Sequence, residues 1–508
     1  MRLLPLVRLA AAALVAVLCP AGPTVAQSFP DGARYVVNDT GNEGDADVGD
    51  GLCQTVNGTC TLPAAVEQAN ATPDWDLVLV EAGVYELTQS LAPSGRLNLA
   101  GLDRDAVTIS TQDPIQLVVP AFFADLTLEH LTLDGGTGDS GGSLDNRGAT
   151  VTLNDVTARN GTATNRGGCF NLAAGATLTL TFSLVTGCSA PAGGAIASAG
   201  QLNLLRVEIS GNSADSAAGV FVSGGGFDVR GTWFRDNLAQ FITGGFEADF
   251  FGTPSLLLDS LFSGNAAIVG AAFQIAGGAQ TTVANVTVAG NTATTLDAVS
   301  LAQGAQVAFN NVTLADNDPG NGADLAVVDA DVVLTNSAVE HLFVDPTNGN
   351  VTLSEHNAFV ENQDGNHTLG TGDEIVADLA LLALDLYGGP LPVMLPLPGS
   401  PLVNTASSAA PGQPGAAEET DARGVPRQLA PGAPDRGAAE QVECEDGQDN
   451  DGDGDADAND SACKPRPVLS CGRCPVELES CQCNRRCAAG SVELLLLLPA
   501  LLYLRRRR

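Results

Sequence analysis

A unit of about 26 residues repeats through the middle of the chain, and it constrains the fold more than any other feature. Small-residue starts fall at Gly148, Gly175, Gly200, Gly226, Gly252, Gly278, Gly304 and Ala330. Each unit then reaches an asparagine or its stand-in: Gly161, Cys188, Asn212, Asn237, Asn265, Asn291 and Asn317. Steps this even predict a coil whose turns stack, with one slot per turn under the same demand. Counting back from Asn212, the apolar positions are Leu202, Leu204, Val207 and Ile209. From Asn317 they are Val307, Phe309, Val312 and Leu314. Pairs two apart are strand alternation, and the step of three between pairs marks a bend. Val, Thr, Leu and Phe fill the unit, which favours strands over helix.

One such unit cannot bury its apolar face alone, whereas stacked units can, at roughly 4.8 Å per step. The slot asparagine is expected to turn the chain sharply, because Asn and Gly adopt left-handed backbone angles cheaply. Stacked amides can also bond to one another as a ladder. The expectation is an all-β, single-stranded, right-handed parallel β-helix with a short N-terminal capping helix and a C-terminal hydrophobic tail. A β-propeller fits less well, since its blades need roughly 40–50 residues.

The divisions expected are a secretory signal over 1–26, a cap and first turns over 27–100, and coil repeats over 101–345. Further turns and a closing segment follow over 346–440, then an Asp-rich loop over 441–464. A Cys-rich linker over 465–487 and a tail over 488–508 end the chain. The start has Arg2 and Arg8, an apolar run from Leu9 to Leu18, and Thr24-Val25-Ala26 before the expected cut. Export into an oxidising space follows. The formal charge of −36 and a single lysine, Lys464, exclude nucleic acid as a partner.

Of 12 cysteines, Cys19 lies in the signal, leaving an odd number in the mature chain. Cys53 with Cys60 and Cys444 with Cys463 are local disulfide candidates, and Cys169 with Cys188 can bridge neighbouring turns. Cys471, Cys474, Cys481 and Cys483 crowd into one stretch, where disulfides outweigh metal binding in an exported chain. Cys487 is left over.

Ahead of the coil, Thr61 is suited to cap a helix, Pro63 to its first turn and Asn70 to its end. A helix there would cover the open end of the first coil, where strand edges and apolar core are otherwise bare. The passage from Cys53 through Cys60-Thr61-Leu62 to Ala69-Asn70 and Gly83-Val84-Tyr85 resembles the CSLREC domain that precedes bacterial β-helices. Pro63-Ala64 stand where that family has Arg-Glu. Gly193-Gly194-Ala195-Ile196, Phe234-Arg235-Asp236-Asn237 and Phe262-Ser263-Gly264-Asn265 resemble the GGAI and FxxN repeats of chlamydial polymorphic outer-membrane proteins.

After the coil come Gly389-Pro390, Pro398-Gly399-Ser400-Pro401-Leu402-Val403-Asn404, Thr420-Asp421-Ala422-Arg423-Gly424-Val425-Pro426-Arg427 and Asp435-Arg436-Gly437-Ala438-Ala439-Glu440. This order resembles the choice-of-anchor Q region of bacterial surface proteins, with Asn404 where that family has aspartate. Its prolines are expected to stop strand pairing and close the coil's second end.

The clearest chemical motif is the run from Asp449 to Asp460. Asp449, Asp451, Asp453, Asp455, Asp457 and Asp460 take the first, third, fifth, seventh, ninth and twelfth positions, with Gly454 at the sixth. That is the spacing of an EF-hand-type Ca2+ loop, and Ca2+ takes roughly six to eight oxygen ligands. Without flanking helices it resembles the loops of thrombospondin type 3 repeats, which also bind calcium; a plain solvated acidic linker is the alternative.

Leu494 to Leu504 is apolar apart from Pro499, and Arg505 to Arg508 follow. The run of about 11 is short of the roughly 20 needed to span a bilayer comfortably. Cys487, a spacer, a short apolar stretch and an arginine cluster resemble myxobacterial C-terminal sorting signals. That resemblance implies a membrane sorting protease as partner, Cys487 as the anchoring residue, and the surface or outer membrane of a Gram-negative bacterium as the location. A permanent weak membrane anchor is the alternative.

No catalytic residue is assigned. The coil lacks lysine and the Asn-Thr-Asp, His-Gly and Arg-Ile-Lys signatures of polygalacturonases, and His130, His341, His356 and His367 show no ligand spacing. One turn stands out: Trp233, Phe246, Phe250 and Phe251, near Phe241, Arg235, Glu247 and Asp249, form a candidate ligand patch. Aromatic faces beside charges suit sugars, although a wider core to fill accounts for the same residues. The expected role is an adhesin or structural surface component with glycans or other surface proteins as partners. The alternative is a polysaccharide lyase or glycoside hydrolase.

Overall fold

A computed structural model describes residues 32–441, apart from 250–251, 279, 321, 363–366, 410–412, 414 and 428–432. The chain is a parallel β-solenoid, with one helix among the described residues. The Asp449–Asp460 loop, Cys444, Cys463, Cys487, the signal and the tail fall outside the described residues, as do Phe250 and Phe251.

One coil shows the plan. Thr177–Thr181, Leu184–Thr186, Ser189–Ala192 and Ile196–Ser198 follow one another, and each pairs in parallel with its counterpart one coil on. Four ladders result, numbered here in that order. The first runs from Arg34–Val37 to Asn350–Glu355. The third is a separate seven-stranded sheet from Thr137–Ser140 to Thr292–Leu296. No helix among the described residues is long and apolar enough to cross a membrane.

The bend read from the apolar step of three separates the first and second ladders. A left-handed residue sits there in coil after coil, including Arg206 (φ 55°), Asp259 (50°), Asn285 (52°), Asn311 (52°) and Asn336 (54°). The asparagine slot differs from expectation in one respect. The slot residues are not left-handed; the residues before them are: Gly211 (φ 63°), Asp236 (56°), Gly264 (67°), Gly290 (70°) and Asp316 (57°). The turn is made one residue early, which leaves the slot side chain free to point along the coil axis.

The amide ladder is present. Asn212, Asn237, Asn265 and Asn291 each donate Nδ2–H to the Oδ1 of the next, the last to Asn317, all at 2.9 Å. Each Oδ1 also accepts the backbone N–H of the preceding slot residue, at 3.1–3.2 Å. Asn317 passes the chain to Asp324 Oδ1 at 2.9 Å, and Asp324 Oδ2 takes His341 Nδ1 at 2.8 Å. At the other end Cys188 occupies the slot and is disulfide-bonded to Cys169. A Cβ on Gly161, the preceding slot, would lie 2.9 Å from the Cys169 sulfur, which accounts for glycine there.

Inside, Phe227, Phe234, Phe246, Phe262 and Phe273 are fully buried, and Phe234 stacks on Phe262 at 4.6 Å with rings 3° apart. The front end is closed by the helix Leu62–Ala69, capped by Thr61 Oγ1 accepting from Ala64 N at 3.2 Å. Its Leu62, Ala65, Val66 and Ala69 join the solenoid core, and Cys53–Cys60 ties down the loop before it.

Residues after the strand Glu374–Ile375 run back along the flank of the coil rather than only across its end. The left-handed asparagines hold them. Asn285 Nδ2 donates to Thr420 O at 2.9 Å, Asn336 Nδ2 to Gly415 O at 3.1 Å, and Asn311 Oδ1 accepts Glu418 N at 2.8 Å. Val376, Leu379, Met394 and Leu402 pack on Ala289, Ala315, Ala338 and Ala358, whose small side chains make the docking strip.

Candidate functional site

The third and fourth ladders meet at a concave corner that runs along the coil. Fourth-ladder strands alternate, so their first and third residues enter the core and the second faces this corner. Stacked in register there are Asp145, Asn171, Ala197, Phe221, Glu247, Gln274 and Ser300.

In the early coils the corner widens into a groove of about 530 Å3 lined by Gln116, Thr137, Asp139, Ser140, Asp145, Arg147 and Asn171, among others. Asp145 is buried, yet both its oxygens are bound: Oδ1 accepts Asn171 Nδ2 at 2.7 Å and Oδ2 accepts Arg147 Nε at 2.7 Å. The pair holds the guanidinium in place while the Arg147 side chain remains 54% exposed. Gln116 is committed to Ser140 O at 2.6 Å. Asp139 is exposed and accepts Thr164 Oγ1 at 3.2 Å. The groove therefore presents a fixed cation, a carboxylate and hydroxyls to solvent, and Ser140 Oγ donates to Asp139 Oδ2 at 3.4 Å.

Further along, the same corner is acidic. Glu247 is 6% exposed, and burial, reinforced by the Asp249 charge, pushes its carboxyl up to about 8. Asp249 is also raised, by burial. On the third ladder beside it Leu238, Phe241, Ile242, Ile268 and Leu296 are exposed.

The structure disperses the aromatic patch read from the sequence. Phe246 is fully buried against Phe227 and Phe234, because strand alternation sends it inward; it is core, not ligand surface. Trp233 lies on the second ladder, with Nε1–H donating to Ser263 Oγ at 2.8 Å and the Arg235 guanidinium 4.9 Å from its ring. Glu247 and Asp249 lie on the fourth ladder. Sequence reasoning missed Asp145, Arg147 and Asn171 altogether. Their only signal is the recurrence of polar residues one place before an inward-facing position, which needs the fourth ladder to be known.

Asp324, Glu340 and His341 bring three metal-capable atoms within 4.8 Å of one another. Asp324 already ends the amide ladder with both oxygens, and Glu340 accepts Asp316 N at 3.0 Å, so the cluster is accounted for by the coil.

No protein-family model matches the chain, and no curated protein matches it in sequence. Solved structures do. ORF18 of Geobacillus virus E2 is similar at 11% identity and TM-score 0.30, over 59% of this chain and 62% of its own. This chain thus spans less than two thirds of that protein's length. The A-module of the Azotobacter vinelandii mannuronan C-5 epimerase AlgE6 is similar at 13% identity and TM-score 0.30, over 65% of this chain and 100% of the module. A rhamnogalacturonan lyase is similar at 12% identity and TM-score 0.29, over 70% of this chain and 91% of its own. These likenesses concern the fold alone and assign no substrate.

Proposed function

We propose that the chain is an exported β-solenoid, held at the cell surface by its C-terminal end, that recognises glycans through the Asp139–Asp145–Arg147–Asn171 groove. The observation that carries this reading is the placement of that groove. It lies in the early coils, while the closing segment packs on coils from Asn285 onward and leads toward the tail. A rod anchored at its C-terminal end presents its other end outward. The groove's exposed Arg147, Asp139 and Thr137 supply donors and acceptors for sugar hydroxyls.

The remaining parts of the reading concern the anchor. The Asp449–Asp460 loop would take Ca2+ and stiffen the join. Cys487 and the arginine-ended tail would be handled by a membrane sorting protease in a Gram-negative envelope. Mass spectrometry of the mature chain tests the tail: an intact Arg508 end removes the processing step.

The binding reading is tested by a glycan array on the secreted chain, with R147A and D139N as companions. Retained glycans that R147A loses support it. An array without hits, or hits unaffected by R147A, removes the groove from the reading. Shortening of the retained glycans would replace recognition by catalysis.

A further inference from the structure

Glu247 and Asp249 sit two apart on the strand Phe246–Asp249, and Phe246 and Ala248 between and before them enter the core. Both carboxylates therefore leave the same side of the strand, with their Cα atoms about 7 Å apart. That side faces the corner between the third and fourth ladders, which Thr243 closes from the preceding turn. Thr243 is itself fully buried and left-handed (φ 54°).

Thr243 Oγ1 lies close enough to the Glu247 carboxyl to favour its ionised form, yet neither it nor Glu247 Oε2 nor Asp249 Oδ1 has a partner of full hydrogen-bond geometry. All three are inaccessible to solvent, although Asp249 as a whole is only half-buried. Buried oxygens left unpaired are costly, and ionised ones more so. The same column shows what a settled carboxylate looks like. Asp145, four strands earlier, is held by Arg147 and Asn171. Around Glu247 the register neighbours are Phe221 and Gln274, and the charge acting most on it is Asp249, of the same sign. A proton shared between the two carboxyls would settle two of these oxygens, whereas a cation would meet all three.

We propose that Thr243, Glu247 and Asp249 form a binding site for a hard divalent cation, Ca2+ in the first place, on the outer corner of the coil. The donor set is entirely oxygen, which selects Ca2+ over the nitrogen- and sulfur-preferring Zn2+. Two carboxylates and a hydroxyl supply part of the coordination, and water would supply the rest. The site is separate from the Asp449–Asp460 loop and independent of the glycan reading. Its structural role would be to neutralise an acidic pair that has no cationic partner among the described residues.

The test uses the full chain with the acidic loop silenced by D449N, D451N and D453N, titrated calorimetrically with CaCl2, MgCl2 and ZnCl2 in separate arms. The expected result is uptake of one Ca2+ per chain, a rise in melting temperature with CaCl2, and loss of both on adding E247Q and D249N. In EGTA the E247Q chain should melt no lower than its parent, since it has shed a buried acid. That comparison separates lost binding from lost folding. No Ca2+ uptake by the loop-silenced chain at millimolar CaCl2, or uptake that survives E247Q with D249N, overturns the proposal. Preference for Zn2+ over Ca2+ overturns the oxygen-site assignment.

Discussion

Asn237 Nδ2 donates to Asn265 Oδ1 at 2.9 Å, and the same oxygen accepts the Asn237 backbone N–H at 3.2 Å. Asn265 in turn donates to Asn291 Oδ1 and to Phe234 O, both at 2.9 Å. One side chain thus satisfies buried groups in the coils on either side of its own. N265A leaves two donors of Asn237 unmatched in a dry interior, at about 1–3 kcal/mol each. The expected loss is about 2–4 kcal/mol, read as a lower urea midpoint. N265D should cost as much, because its carboxylate cannot donate to Asn291. A change below about 0.5 kcal/mol would show that the ladder is decoration.

Cys169 and Cys188 close a loop with a sequence separation of 19, tying adjacent coils where the amide ladder begins. By the loop-closure relation the bond is worth about 3 kcal/mol, acting mainly on the unfolded chain. C169S with C188S should therefore lower the urea midpoint. Reductant should do the same to the wild type and leave the double variant unchanged, apart from effects at Cys53–Cys60. Equal midpoints with and without reductant would place the disulfide outside the stability of the coil.

Arg427 Nη1 donates to Glu440 Oε2 at 3.1 Å, while Nη2 reaches Asn285 Oδ1 at 3.1 Å and Gly437 O at 2.8 Å. Its side chain is fully buried, so it locks the closing segment onto the bend asparagines. R427A strands the Glu440 carboxylate, and breaking a buried pair this way costs about 3–5 kcal/mol. The expected readout is local: limited proteolysis should cut between residues 376 and 440 while the coil stays resistant. R427M with E440Q removes both charges and should be cut more slowly than R427A. Cleavage of the coil itself at the same rate would mean that the segment is needed for the whole solenoid.

The coil was legible in the sequence because one physical demand repeats. Leu202, Leu204, Val207 and Ile209 read as inward residues and are inward, with Leu202, Leu204 and Ile209 no more than 1% exposed. Asn212 to Asn317 read as a ladder and form one. The third ladder was not legible. Ser189–Ala192 and Ser213–Ser216 carry no apolar period, and the place of the first is set by Gly193 and Gly194 in the turn that follows it. A Cβ on Gly194 would lie 2.4 Å from Ala218 O, so that turn fixes the corner by close backbone approach. Without the corner, Asp145, Arg147 and Glu247 look like scattered surface charges. Phe246 misled for a related reason. An aromatic beside acids suggests a surface, but its parity on the strand sends it inside. The docking of Thr420 on Asn285 spans 135 residues and leaves no local trace.

Glu247 gives the last prediction, and its sign follows from burial. Its carboxyl is pushed up to about 8 from an ordinary value of 4.5, chiefly by desolvation. A raised acid favours the folded state when protonated. The contribution is fully present below the ordinary value and is lost as pH rises from about 4.5 through about 8. The whole swing is on the order of 4–5 kcal/mol. Asp249, raised in the same direction, adds to it. In EGTA the chain should therefore melt progressively lower between pH 5 and pH 9 (about the span of that titration). E247Q stays neutral throughout and should flatten the curve. Its advantage over the wild type should be small at the acid end and largest above pH about 8. CaCl2 should flatten the wild-type curve by stabilising the ionised pair, and should leave E247Q with D249N unchanged. A wild-type profile already flat in EGTA would mean that Glu247 is not the buried acid described here.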